Sequence, residues 1–399
     1  NKKIADDGTI SYVPNHERLR RVVQKAKKWA NLRHKANEKK KVAIVFHNVP
    51  ANNSNVGSAA GLDSPASIRN LLKRMQEEGY FVDHVPPDGQ IFIEELLAGV
   101  TNDRRFLTDK QIENTPARVT KQEYQKFFST LPKETQMELN AHWGDAPGDV
   151  FCYDDELLIP GILNGNVFIS VQPPRGFGED PGKILHSPDA PPPHHYLAYY
   201  HWIRDLWQAD AVMHIGPHGS LEWLQGKSAA LSDTCYPDLA LGDLPNLYPY
   251  LITIVGEGTQ AKRRGAACLI GHLPPPMSHA GAYEEMAELE KYLEEYIHFK
   301  AYQPANLEAV KAKINEKVLA LNLSEDMKTK PTENFDDYVQ ELHCYITDIK
   351  NLQIRTGLHI LGNAPADQLL QDYLLALTKV EHDDLPSLPK AIAKAFHQD

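Results

Sequence analysis

Hydrophobic positions along this chain follow two rhythms. From Lys41 to Phe46 the run Val-Ala-Ile-Val-Phe is unbroken and β-branched, which predicts a strand buried on both faces. After a polar Asn/Gly loop the period changes, with Ile68, Leu71, Leu72 and Met75 at i, i+3, i+4 and i+7. Ser64 as N-cap, Pro65 as first helical residue and Gly79 at the close frame a helix. Phe81-Val82 is expected to open a second strand, completing a β-loop-α-β unit with its loop at the carboxyl edge of a parallel sheet.

A mostly helical stretch from about Ile91 to Trp143 ends at the Gly/Pro/Asp-rich joint Gly144 to Asp149, an expected lobe boundary. The run Asn166 to Val171 reads as a strand, His194 to about Gln208 as a helix and Ala209 to Ile215 as another strand. Between them the Pro- and Gly-dense loop from Gln172 to Pro193 is too long for a plain connector and is expected to carry function or cover a site. Beyond Pro276 the period is helical: Leu289, Tyr292, Leu293 and Tyr296 form one stripe, with further helices near 305–322, 333–350 and 366–379. The fold class is therefore α/β and multi-lobed, with β-α-β units, parallel sheets and a helical C-terminal part. The expected divisions are a basic helical lead-in over 1–40, α/β lobes over 41–145 and 146–280, and a mostly helical region over 281–399.

Composition adds limits. With 399 residues, 42% of them apolar and 24% charged, the chain is globular and long enough for more than one core. A net charge of −11 argues against a nucleic-acid partner. The basic run from Arg18 to Lys41 is local, and its apolar rhythm of Leu19, Val22, Val23, Ala26 and Ala30 predicts a surface helix with a solvated basic face. Cys152, Cys235, Cys268 and Cys344 make no CxxC pair and read as reduced thiols. No apolar run reaches the roughly 18 residues of a membrane span, so a cytoplasmic protein without stable membrane insertion is expected.

The most informative stretch runs from Met213 to Lys227, where a strand ends, Gly-Pro-His-Gly turns and Ser220 can cap a short helix. His214, His218 and Glu222 converge there. Two imidazoles and a carboxylate suit transient binding of a divalent metal, or removal of protons from a ring nitrogen near neutral pH. Taken singly, each has a structural explanation, Glu222 as a helix N-terminal acid for instance; the three together in a Gly-bracketed turn favour function. Gly226-Lys227-Ser228 is not the end of a Walker A loop, because the required first glycine falls at Leu221.

Two further clusters carry cations. Arg175, following Gln172 and a Pro pair, is placed to offer its planar fork to a carboxylate. His194 and His195 open the next helix, and one of the two is expected to face solvent. In Glu257 to Arg264, the triplet Lys262, Arg263 and Arg264 could grip an anion, although such a triplet is more often a solvated face.

These clusters together resemble the large subunits of cobalt chelatase (CobN type) and magnesium chelatase (H subunit). The resemblance rests on Asn55-Val-Gly57, Val171-Gln-Pro173, Pro193-His-His195 with Ala198-Tyr-Tyr200, and His214 through Lys227. It continues in Ser232-Asp233, Leu244-Pro-Asn-Leu-Tyr248, Ala261-Lys-Arg-Arg264 and Gly357-Leu-His359. Family members are longer on both sides, so the chain is expected to be an internal segment. Trp223 in Leu-Glu-Trp-Leu and Tyr248-Pro-Tyr250 lean towards the cobalt branch, while Gln225 departs from the usual proline.

The resemblance implies ATP-dependent insertion of a divalent metal, cobalt or alternatively magnesium, into a tetrapyrrole, with ATP hydrolysed by separate AAA+ partner subunits. For that chemistry Glu222 is the candidate base, with His214 and His218 as metal relay and His195 as second choice, and the base and metal-ligand roles stay open among them. Arg175, Gln172, Lys227, Lys262, Arg263 and Arg264 would hold the ring. The rivals are a zinc hydrolase using His214, His218 and Glu222, and a tetrapyrrole carrier without catalysis.

Overall fold

A computed structural model describes all residues except 1, 49–50, 60, 105–106, 177–189, 217–218, 276–280, 303, 322, 324–329, 331–333, 355–357 and 397–399. Among them two compact units form: residues 1–274 with 359–363, and residues 275–358 with 364–399.

The first unit opens on a two-stranded antiparallel ribbon, β1 (Lys2–Ile4) and β2 (Ile10–Tyr12), followed by α1 (His16–His34). Asn15 caps α1 by accepting from the amides of Glu17 and Arg18. Its orientation reverses the expectation from its pattern: Leu19, Val22 and Val23 are exposed. Arg18 and Arg21 instead face the body and pair with Asp238 (3.1 and 3.3 Å), and Arg21 also with Asp243 (2.9 Å).

The centre is a six-stranded sheet in the order β11-β10-β9-β3-β8-β7. Here β3 is Val42–Phe46, β7 Gly161–Asn164, β8 Val167–Val171, β9 Ala211–Ile215, β10 Asn246–Leu251 and β11 Cys268–His272. All neighbours are parallel except β7, which runs antiparallel to β8. Alternate side chains of β3 enter different cores, as the period of two requires. Val42, Ile44 and Phe46 pack with α2 (Ser64–Glu77) and α3 (Gly89–Leu97). Ala43 and Val45 join the core under Tyr196–Tyr200. Helices on both faces of a mainly parallel sheet place a crevice at the carboxyl edge, where the order turns around β3.

Between α3 and β7 lie α4 (Asp109–Glu113), β4 (Arg118–Thr120), α5 (Lys121–Phe128), α6 (Lys133–Trp143), β5 (Cys152–Tyr153) and β6 (Glu156–Leu158). Strands β4, β6 and β5 form a small antiparallel sheet. The joint Gly144–Asp149 does not divide two sheets, since β3 before it and β7 to β11 after it share one. Phe81-Val82 is not a strand. The ladder position beside β8 is filled by β7, and Val82 is buried in the core instead, with the Phe81 carbonyl accepting from the Asn166 amide (2.9 Å).

Helix α7 (His194–His201) continues into a π-turn, Trp202–Leu206. Every residue of α7 is buried, so His194 and His195 both face inward, against the expectation that one is solvated. That expectation presumed a one-sided helix, whereas α7 lies between the sheet and an outer layer. His194 bonds the Tyr124 hydroxyl (2.9 Å) and the Gly144 carbonyl (2.9 Å). Next come α8 (Tyr236–Leu241) and α9 (Val255–Gly265).

The second unit is helical: α10 (Gly281–Tyr302), α11 (Leu307–Ala320), α12 (Phe335–Ile354), α13 (Asp367–Thr378) and α14 (Leu388–Ala395). The predicted stripe packs as expected, with Leu289, Leu293 and Tyr296 against Val310, Ile314 and Leu342. No helix among the described residues is long and apolar enough to cross a membrane.

Candidate functional site

The carboxyl edge of β3, β8 and β9 gathers the predicted site. Glu222 lies in a single 3-10 turn, Leu221–Trp223, and is 2% exposed. A carboxylate buried to that degree needs partners. The Tyr248 hydroxyl donates to Glu222 Oε1, accepts from the Gly219 amide (2.7 Å) and reaches Glu257 Oε1 at 3.2 Å. Glycine at 219 permits this approach, because a Cβ there would stand 2.8 Å from Glu222 Oε2.

Backbone contacts fix the turn. Arg264 donates to the carbonyls of Glu222 (2.9 Å) and Leu224 (2.5 Å), and Arg175 donates to that of Trp223 (2.6 Å). Two guanidiniums thus hold three successive carbonyls, which orients the carboxylate without neutralising it directly. Of the predicted cation cluster, Arg264 is buried, while Lys262, Arg263 and Lys227 are exposed. Ser220 occupies the cap position, but its hydroxyl bonds Tyr196 (2.9 Å) rather than the turn's amides.

Gln172 is fully engaged as a strut. Its side-chain amide donates to Tyr200 (2.7 Å) and its Oε1 accepts from the Ser220 amide (2.8 Å), while its backbone carbonyl accepts from Asn102 (2.7 Å). His214 is buried between two partners: Nδ1 donates to Asn246 Oδ1 (2.8 Å), so Nε2 accepts from Tyr200 (2.8 Å). Burial lowers its pKa to about 4, leaving it neutral at pH 7. With both nitrogens occupied, nothing in this geometry favours the zinc hydrolase. His218 lies outside the described residues. His195 donates from Nε2 to the Leu158 carbonyl (2.7 Å) and stacks on Phe151, under the small antiparallel sheet. Burial holds it near 4 as well, and no contact among the described residues joins it to Glu222. Among the described residues no group of three or more His, Cys, Asp or Glu is arranged to hold a metal ion.

Tyr248, Asn246 and Glu257 are the functional candidates that sequence reasoning left without a role. Tyr248 and Asn246 sit within Leu244–Tyr248 and Glu257 opens the cationic triplet's segment, but only the pairing of β10 with β9 shows that they meet Glu222 and His214. Glu257 is 4% exposed, and its Oε2 has no hydrogen-bond partner among the described residues. Burial first, and the Glu222 charge second, raise it from 4.5 to about 8, so it holds a proton at neutral pH.

Protonation is favoured in the folded state here, so its stabilising effect is full below 4.5 and is lost as pH rises through about 8. Wild type is expected to lose melting temperature between pH 5 and 9, and Glu257→Gln to lose less. Parallel melting curves of the two across that range would refute the raised carboxyl.

The fold and site define an α/β protein with a buried acid and an imidazole at the carboxyl edge of a parallel sheet, steadied by arginines and tyrosines. The CobN/Magnesium Chelatase family profile matches residues 1–399, and the chain belongs to that family. It is 35% identical to the aerobic cobaltochelatase subunit CobN of Pseudomonas aeruginosa, over 99% of this chain and 31% of that one. Against the chloroplastic magnesium-chelatase subunit ChlH of Oryza sativa the identity is 32%, over 95% of this chain and 27% of the other. The solved catalytic subunit of cobaltochelatase from Mycobacterium tuberculosis superposes with a TM-score of 0.70 at 38% identity, covering 98% of this chain and 34% of that one. The chain thus spans 27–34% of the length of these relatives.

Proposed function

We propose that this chain is the tetrapyrrole-binding, catalytic portion of an ATP-dependent chelatase large subunit that inserts cobalt into a hydrogenobyrinate-type ring. Insertion of a divalent ion releases two protons, one from each inner N–H, so the reaction needs a base beside the ring. The observation that carries the reading is Glu222: a buried carboxylate, oriented by Tyr248 and Arg264, in a chain matched throughout to chelatase subunits. His214, neutral and fixed by Asn246, would serve the incoming ion by exchanging the Tyr200 hydroxyl at Nε2 for it, together with His218; Arg175 and the exposed Lys227, Lys262 and Arg263 would meet ring carboxylates. ATP would be hydrolysed by AAA+ partners, since the chain's own Lys227 segment lacks Walker A spacing. Trp223 supports cobalt over magnesium, as do identities of 35–38% to CobN subunits beside 33% or less to the magnesium subunits.

A spectral titration with hydrogenobyrinate-type and porphyrin-type rings tests this. Saturable binding with preference for the first is expected; preference for the porphyrin would move the assignment to magnesium, and binding of neither would remove the tetrapyrrole reading. In the same assay Arg175→Ala is expected to weaken binding by about 1.5–3 kcal/mol, the worth of a charge-assisted contact. An unchanged dissociation constant would leave Arg175 with the Trp223 carbonyl as its whole role.

A further inference from the structure

The groups around His214 form a chain of hydrogen bonds that runs in the same sense at every link. At one end the Ser220 amide donates to Gln172 Oε1 (2.8 Å), and Gln172 Nε2 donates to the Tyr200 hydroxyl (2.7 Å). That hydroxyl passes its own proton to His214 Nε2 (2.8 Å). His214 Nδ1 donates to Asn246 Oδ1 (2.8 Å), and Asn246 Nδ2 donates to the Gly265 carbonyl (3.1 Å).

Both ends are main chain, and that fixes the sense. A backbone amide only donates and a backbone carbonyl only accepts. Turning Asn246 over would set its Oδ1 against the Gly265 carbonyl, and turning Gln172 over would set its amino group against the Ser220 amide. The tautomer of His214 is therefore dictated from outside the ring.

The register explains why Asn246 reaches it. Asn246 pairs with Val212, two residues before His214 on β9, so their side chains share a face. Gly265 lets the amide in, since a Cβ there would stand 3.0 Å from Asn246 Nδ2. Tyr200 arrives from the buried helix α7, and burial raises its pKa, so the hydroxyl keeps the proton it donates.

A metal ion binds imidazole through a nitrogen lone pair, and in this tautomer only Nε2 carries one. Tyr200 covers it. An ion reaching Nε2 displaces one hydrogen bond, after which the Tyr200 oxygen is still held by Gln172. The bond from Nδ1 to Asn246 persists, and such an outer partner orients the ring and strengthens it as a ligand.

We propose that Asn246 and Tyr200 are positioning residues that act on the incoming ion through His214 in opposite senses. Asn246 fixes the Nδ1–H tautomer that leaves Nε2 to the metal, and Tyr200 keeps Nε2 closed until the ion displaces its hydroxyl. The inference rests on the chelatase reading for the ion as substrate, whereas the tautomer and the latch are properties of the chain itself.

The test is a calorimetric titration of the metal-free chain with Co2+, with His214→Gln as the reference for ions bound elsewhere, beside 15N NMR of the histidine rings. Tyr200→Phe is expected to tighten the His214-dependent affinity by about 2- to 12-fold, the worth of one hydrogen bond. Asn246→Leu is expected to weaken it by about 10–100-fold and to release the single tautomer. Asn246→Asp still accepts from Nδ1, so it should restore the tautomer and most of the affinity, which a merely structural role would not. If Asn246→Leu does not fold, Tyr200→Phe and Asn246→Asp carry the test. Unchanged or weaker Co2+ binding in Tyr200→Phe overturns the proposal, as does wild-type binding equal to that of His214→Gln. Loss of tetrapyrrole binding with both shifts intact would sink the chelatase reading alone; cobalt insertion without the shifts would sink this inference alone.

Discussion

Glu222→Gln is expected to lower metal insertion by the assembled chelatase by roughly 10²–10⁴, the usual worth of a positioned general base. The amide keeps the shape of the carboxylate and can still accept from Tyr248, but it cannot take a ring proton. Arg264 and Arg175 grip backbone carbonyls rather than the side chain, so the turn should stay in place. Ring affinity should barely change, which separates lost chemistry from lost binding. Insertion at the wild-type rate would remove Glu222 as the base and pass the role to His214, His218 or His195. Normal ring binding in a protein that inserts no metal even as wild type would instead support the carrier.

Gly216→Ala is expected to destabilise the fold by about 2–6 kcal/mol, from overpacking and backbone strain of about 1–3 kcal/mol each. Gly216 follows β9 at φ +155°, and a Cβ there would stand 2.2 Å from His47 Cβ. Neither partner can yield cheaply, because the His47 amide donates to the Ile215 carbonyl (2.8 Å) and ties the two strand ends together. A fall of several degrees in melting temperature, with a lower denaturant midpoint, would show it; a melting temperature within about one degree of wild type would refute the close approach. Because the substitution sits just ahead of the Glu222 turn, insertion should fall with stability.

Periodicity revealed the strands at Val42–Phe46 and Ala211–Ile215 because each is buried on both faces, and it revealed the helix Ser64–Glu77 because that helix is buried on one. It misled at Phe81-Val82, where an apolar residue reached the core without joining a ladder. It also misled at His194-His195, where a helix buried on all sides breaks the assumption of a single inward face. In the site, Glu222, Arg175 and Arg264 were legible as chemistry, each within its own local stretch of sequence. Their partners were not: Tyr248, Asn246 and Glu257 arrive from the next strand and helix, and local spacing carries no record of that register.

The His16–His34 helix turns its leucine and valines to water and holds to the body through Arg18, Arg21, Asp238 and Asp243. Most surface helices are glued by what water rejects, and salt strengthens that glue; this one is held by what salt screens. Ionic strength therefore acts on the two layers in opposite senses, loosening the N-terminal helix under conditions that tighten the sheet behind it.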